Sequence, residues 1–401
     1  MRSASESACE GGIDMKLMVI LPRVPFPLDK GDKLRAFHQL RELSRHHEII
    51  LFALTDEDVH PAAVGSLKEF CSEVVIFRLD RWTIFRNLGR SVFDGRPFQV
   101  GYFVCSAAHR MVKAVVEEHR PDHIYCQLIR TAEYAKPYKS ISKTLDYMDA
   151  FSKGIQRRIL IDPFYMKPIL HLEHRRLLRY ESQIFDHFDH TTIISEQDRD
   201  LIPHPERGKI RVVPNGVDTE FLRPQQRHTQ FELLFHGNMS YPPNVESVHL
   251  LVQKVLPLVW QELPAVRLLI SGANPSPAVQ RLVSDRVVVS GWVDDVRENY
   301  ALSEILVAPM QISIGLQNKL LEAMAMGLPC ITSSLANNAL RAIPGEQILI
   351  ADTPEQYAAH IVALLRDQAK AQALSRQGRD YVVENFSWQQ TRALLDDLMS
   401  S

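Results

Sequence analysis

The feature that most constrains this chain is a cadence in which short apolar runs alternate with longer amphipathic ones, and it is played twice. In the first half, strands are expected at Leu17–Leu21, Glu48–Ala53, Val74–Phe77, His123–Cys126, Lys143–Tyr147 and His190–Ile194. Helical spacing covers Lys33–Arg45, Ala107–His119, Tyr134–Lys136 and about Tyr165–Phe185. Lys209–Val213 then runs into the turn signal Pro214-Asn215-Gly216, and the rhythm restarts. Strands follow at Phe231–His236, Val266–Ser271, Val287–Ser290, Ile305–Ala308, Cys330–Thr332 and Ile348–Ile350. Helices are expected at Val245–Leu263, Ala278–Val283, Asp295–Ala301, Leu316–Met326, Pro354–Arg366, Ala369–Asn385 and Trp388–Met399. Strands and helices alternating in this way give parallel sheets covered by helices on both faces. The fold class is α/β: two doubly wound, Rossmann-like domains with a cleft between them, where ligands favour the carboxyl ends of the strands.

A chain of 401 residues suits two such cores. The first domain is expected over 15–205 and the second over 206–385, with a polar, small-residue extension at 1–14 read as disordered. Lys and Arg total 46 against 48 Asp and Glu, a net charge of -2, so there is no global basic field and no nucleic-acid partner is expected. No run approaches the roughly 18 apolar residues that span a bilayer. Cys9, Cys71, Cys105, Cys126 and Cys330 are scattered, which reads as reduced thiols in a cytoplasmic protein rather than a disulfide frame or zinc site.

The most informative stretch runs from Pro309 to Pro329. A strand ends near Pro309, a loop bearing Gly315 follows, and a helix starts near Leu316 or Gln317 and stops at Gly327 with Pro329 beyond it. Its amino end carries unpaired N–H groups and a positive dipole end, suited to phosphate. Asn318, Lys319 and Glu322 share a face, offering a cation for phosphate and a carboxylate for a diol such as ribose. A solvated Lys–Glu pair is the bland alternative. The apolar run Ala323–Met326 and the close approach permitted by Gly315 favour a ligand site.

This stretch, after Leu306–Pro309, resembles the donor-binding signature of retaining family 4 glycosyltransferases of the GT-B fold, in the branch that builds bacterial exopolysaccharide and lipid-linked glycans. Val213–Asp218 with Phe221, Leu234–Asn244, Leu268–Gly272, Val289–Asp295 and Phe386–Trp388 agree with that family in order and spacing. The resemblance implies donor contacts from Gly237, Asn238, Val293, Gly315, Leu316, Gln317, Asn318, Lys319 and Glu322, with Glu322 on the nucleotide ribose. It also implies that 386–401 forms a helix returning to the first domain. Two departures stand out. The family's first glutamate falls on Ile314, so a carboxylate that holds donor-sugar hydroxyls is absent. The loop Gly237–Tyr241 lacks the usual Arg and Lys that clamp the diphosphate, and Lys319 is the candidate replacement.

In the first half, Pro25–Arg35 joins the first strand to the first helix, where a doubly wound sheet places a ligand loop. Gly31 permits close approach, and Lys30, Lys33 and Arg35 can answer phosphate charge. The alternative is a solvated turn with Asp32 as the helix N-cap. Leu145–Gly154 follows another strand and holds no histidine where relatives carry one beside the donor sugar. Asp149 and Asp146 are therefore the catalytic candidates, to orient the acceptor hydroxyl or stabilise positive charge at the anomeric carbon. The alternative for each is a helix cap or a structural carboxylate. His171, Glu173 and His174 have a spacing that suggests metal, yet no third ligand is evident and a solvated helix face is the better reading. That basic face, with Trp82–Arg86 and Phe93–Phe98, is also a candidate membrane-facing lobe.

The family resemblance implies a retaining transfer of sugar from a nucleotide diphosphate donor to a glycan or lipid-linked hydroxyl, in the cytoplasm or at the cytoplasmic face of the membrane. No metal or cofactor is expected: the helix end at Leu316–Lys319 takes the charge of the leaving diphosphate and domain closure excludes water. A nucleotide-sugar 2-epimerase of the same fold, or a non-catalytic sugar-nucleotide binder, are the alternatives.

Overall fold

A computed structural model describes residues 14–28, 30–225, 228–293, 295–311 and 316–400. Residues 1–13 of the expected extension, and Asp29, Asp294, Ile314 and Gly315 among the motif residues, lie outside the described residues. The chain divides into two compact units, Met1–Val213 with Arg392–Ser401, and Pro214–Thr391.

Among the described residues the first unit holds a seven-stranded parallel sheet, β1 (Lys16–Leu21), β2 (Glu48–Thr55), β3 (Glu73–Arg78), β4 (His123–Gln127), β5 (Ser142–Asp146), β6 (His190–Ile193) and β7 (Arg211–Val212), in the order β3-β2-β1-β4-β5-β6-β7. Side chains from Ile49 to Leu54 are almost wholly buried, as strands covered on both faces must be. Each large aliphatic one contributes about 1.5–3 kcal/mol. The order reverses at β1, which pairs with both β2 and β4. Helix α1 (Gly31–Leu43) springs from that switch point. The last residues of the chain belong to this unit: Leu395 and Met399 pack with Leu17, Val19 and Leu21, and Asp396 accepts from His47 at 3.1 Å.

The second unit repeats the plan with β8 (Phe231–His236), β9 (Leu268–Ser271), β10 (Val287–Gly291), β11 (Ser303–Ala308), β12 (Cys330–Thr332) and β13 (Leu349–Ile350), ordered β10-β9-β8-β11-β12-β13. Its switch point lies between β8 and β11. The expected single helix over Val245–Leu263 is a helix Pro242–Leu250, a π turn Leu251–Val255 and a helix Leu256–Glu262. Pro257 has no N–H to complete the α ladder and its ring crowds the preceding turn, so the chain widens there. In the linking motif, a β-carbon on Gly216 would meet the Trp388 ring at 2.5 Å, and Val217 donates its N–H to the Phe386 carbonyl at 2.6 Å. Cys71, Cys105, Cys126 and Cys330 are buried free thiols. Among the described residues no helix is long and apolar enough to cross a membrane.

Candidate functional site

Three neighbouring strands of the second unit end on glycine: Gly237 after β8, Gly272 after β9 and Gly291 closing β10. Gly237 donates to the Ser271 carbonyl and Gly272 to that of Gly291, each at 3.0 Å. Gly272 (φ +127°) is forced, because a β-carbon there would stand 1.9 Å from the Gly237 carbonyl oxygen. Side chains are thereby stripped from the carboxyl edge of the sheet, where a doubly wound fold receives its ligand.

Beside this edge sits helix α2 (Asn318–Ala325), whose first turn has no side-chain cap from Gln317. The structure brings together Gly237, Asn238, Lys319 and Glu322 as expected partners of one edge. Lys319 is buried, and its Nζ donates to Asn244 Oδ1 at 2.6 Å and lies 4.8 Å from the centroid of the Phe235 ring. Burial pushes its pKa down to about 7, with the Glu322 charge opposing. Gly237 leaves its stem uncovered, since a β-carbon there would lie 3.4 Å from Lys319 Cε and 2.8 Å from Asn244 Nδ2. Half-buried Glu322 accepts from the Tyr300 hydroxyl at 2.7 Å. Its burial raises its pKa, against the Tyr300 hydrogen bond and the Lys319 charge. Asn318 presents a buried Oδ1 with no partner among the described residues. Leu316, Gln317 and Val293 are half-buried and Asn238 is exposed, its Oδ1 accepting from the Ser240 N–H at 2.9 Å.

Sequence reasoning passed over Asn244, Tyr300 and His236. The His236 Nδ1 is 2.7 Å from Ser271 Oγ, and burial with the nearby Lys319 charge lowers its pKa to about 4, so the ring is neutral at physiological pH. Its position directly before Gly237 was the available signal. Tyr300 lies in an ordinary helical stretch and offered none.

In the first unit the candidates occupy a different chemistry. Asp146 is fully buried at the end of β5, where Oδ2 takes Arg35 Nε at 2.7 Å and the Tyr125 hydroxyl at 3.0 Å. Its Oδ1 accepts from Thr192 at 3.0 Å and from the Met148 N–H at 3.2 Å. Both oxygens are engaged, so Asp146 organises the strand ends rather than meeting a ligand. Arg35 is equally enclosed and donates on to the Val213 carbonyl at 2.9 Å, which removes it from the set of phosphate contacts. Burial lowers its pKa, but Asp146, Tyr125 and Asp149 outweigh that and hold it charged. Lys33 is buried, and Asp149 is half-buried. Leu128 (φ 63°) and Met148 (φ 60°), just past β4 and β5, are in left-handed conformations that cost non-glycine residues. Gly31 is the first residue of α1, with nothing near its missing β-carbon. Asp32 is not the N-cap: that position is Lys30, and Asp32 accepts from Arg23 at 2.6 Å. Lys30 pairs with Glu57 at 3.0 Å.

The His171–His174 segment departs from a solvated face. Glu173 is buried and accepts the Phe98 and Gln99 N–H groups at 2.7 and 3.0 Å, while His174 Nδ1 is 2.9 Å from the Ser152 carbonyl. Among the described residues no cluster of three or more His, Cys, Asp or Glu is placed to hold a metal.

Residues 230–367 match the family described as "Glycosyl transferases group 1". An uncharacterized 44.6 kDa protein in the cps region of Klebsiella pneumoniae is 21% identical over 394 residues, 92% of this chain and 96% of that one. A GDP-mannose-dependent α-(1-6)-phosphatidylinositol monomannoside mannosyltransferase of Mycobacterium tuberculosis is 25% identical over 215 residues, 47% of this chain and 55% of that one. Among solved structures, sucrose-phosphate synthase from Thermosynechococcus elongatus superposes with a TM-score of 0.67 at 16% identity, covering 96% of this chain and 98% of that one. Anabaena HepE, solved with UDP and glucose, does so with 0.67 at 12% identity, covering 96% and 100%. The two parallel sheets are those of the GT-B fold, and with its group 1 domain over residues 230–367 the chain is a glycosyltransferase.

Proposed function

We propose that this enzyme transfers a sugar, with retention, from a nucleotide diphosphate donor to a hydroxyl of a glycan or lipid-linked acceptor in cell-surface polysaccharide biosynthesis. The carrying observation is the juxtaposition in one unit of the bare strand end at Gly237 and Gly272 with Lys319 and Glu322 on α2. Glu322, oriented by Tyr300, takes the ribose hydroxyls. Lys319 and the N–H groups opening α2 take the diphosphate, and their fixed charge meets the negative charge that grows on the leaving group. Asp149, whose charge also acts on Arg35, is the acidic group assigned to the acceptor side. The chemistry draws on lysine and backbone dipoles, without metal or cofactor. The Klebsiella relative from a cps region and the UDP- and glucose-bound HepE support the polysaccharide and nucleotide-sugar parts of this reading. We place the enzyme in the cytoplasm, in peripheral contact with the membrane that carries its acceptor.

Incubation with UDP-, GDP- and ADP-sugars tests it. Release of nucleoside diphosphate that depends on a glycan or lipid-linked acceptor, with the donor's anomeric configuration kept in the product, is expected. Acceptor-free isomerisation, or binding without turnover, would overturn it.

A further inference from the structure

The helix Arg81–Asp94 is inside out. It buries Asn87 and Ser91, at 3% and 1% exposure, and shows solvent Trp82 (82%), Phe85 (73%), Val92 (52%) and Phe93 (90%). At about 100° per residue these four share one side, bordered by Arg81, Arg86 and Arg90, with no acidic residue in that arc. The inward groups are satisfied: Asn87 Nδ2 donates to the Tyr102 carbonyl at 3.4 Å and Ser91 Oγ to that of Asn87 at 2.9 Å. Water is a poor neighbour for such a face.

A second element also shows apolar side chains to solvent: Phe164 (82%) and Tyr165 (66%) just before the helix Lys167–Phe185, and Ile169 (52%) and Leu172 (40%) in its first turns. One turn beyond Leu172, Arg176 of the same helix donates to the Ser91 and Val92 carbonyls at 2.7 and 3.0 Å, fastening the two helices together. Arg81, Arg86 and Arg90 have no acidic partner within 4.0 Å among the described residues.

We propose that this face of the first unit seats on an anionic lipid bilayer, with Trp82, Phe85 and Phe93 in the headgroup–acyl boundary and the bordering Arg81, Arg86 and Arg90 against lipid phosphates. Aromatic side chains ringed by arginine match the two halves of such a surface, apolar below and negatively charged above. The assignment rests on the reading of a membrane-borne acceptor, and gives that membrane contact an element and a lipid charge.

Flotation of the full chain with neutral phosphatidylcholine vesicles, and with vesicles in which ~30% of the lipid is phosphatidylglycerol, tests it. Binding only to the anionic vesicles, weakening as salt rises, is expected. The triple variant Trp82→Ser, Phe85→Ser, Phe93→Ser should lose it. Arg81→Gln with Arg86→Gln and Arg90→Gln should weaken it roughly tenfold or more. Nucleotide binding to UDP, GDP or ADP, which resides in the second unit, should be unchanged in both variants, so a lost donor site and a lost lipid site are read separately. Equal binding to neutral vesicles, no vesicle binding, or retention by the serine variant would overturn the proposal.

Discussion

The ammonium of Lys319 lies 2.6 Å from the amide oxygen of Asn244, seventy-five positions away in the chain, and this neutral partner is what it has in place of solvent. Burial therefore leaves its pKa at about 7. A bound diphosphate favours the charged form, so donor binding near pH 7–8 should take up a proton. Calorimetry in buffers of different ionisation enthalpy reads that uptake directly. Lys319→Met should abolish it and weaken nucleotide binding by roughly tenfold, the scale of one charge-assisted hydrogen bond. Unchanged proton uptake in the variant would show that another group faces the phosphate.

The same group sets a stability trend. Between about pH 7 and its unperturbed value of 10.5, Lys319 is neutral when folded and charged when unfolded, so the unfolded state binds more protons. Its burial penalty is complete below about pH 7 and is relieved as pH rises through that window, and its contribution to stability rises with it. Urea midpoints of wild type and Lys319→Met across pH 6–10 should converge toward high pH.

Asp146 and Arg35 are joined in a fully buried pair. Asp146→Asn strands a guanidinium in the core of the first unit and should cost about 3–5 kcal/mol. The double replacement Arg35→Met, Asp146→Leu removes both charges and should recover much of that loss. Denaturant unfolding of the three variants decides it. A catalytic Asp146 would show wild-type stability with lost turnover.

Gly272 and Gly31 should separate sharply. Gly272→Ala pushes a methyl into the Gly237 carbonyl at a positive φ. It should displace the strand-end loops, costing about 3 kcal/mol or more together with donor binding. Gly31→Ala meets open space and should be neutral or stabilising by about 0.4–1 kcal/mol. Loss of donor affinity in a stable Gly31→Ala protein would mark Gly31 as a ligand contact.

Tyr300→Phe removes the donor to Glu322 while leaving the ring in place. The carboxylate then keeps its burial without its hydrogen bond, at a cost of about 1–3 kcal/mol. Nucleotide affinity should fall with it. Comparing a nucleotide with its 2′-deoxy form should show most of the loss in the ribose form.

Much of the architecture was legible beforehand, because a period-two or 3.6 alternation is local and both sheets announce themselves as apolar strands between amphipathic helices. The Lys319–Glu322 spacing was legible for the same reason, whereas the glycine-bearing strand ends came from the family resemblance. The break at Pro257 shows the limit of periodicity, since apolar spacing continues through a position where the backbone ladder cannot.

What tertiary structure alone decided is which side chains are enclosed by protein partners and which are left at the surface. Arg35 and Asp146 look in sequence like a phosphate contact and a catalytic acid, yet folding places them against each other with Tyr125 and Thr192. Lys319 looks exposed by its charge and is buried beside Asn244. The helix Arg81–Asp94, whose ends the sequence marks as part of a candidate membrane-facing lobe, buries Asn87 and Ser91 and turns its apolar side outward. The physical reason is common to all three. Periodicity depends on neighbours within a turn or two, whereas desolvation and ion pairing depend on partners set by distant strands, and these outweigh a residue's own preference.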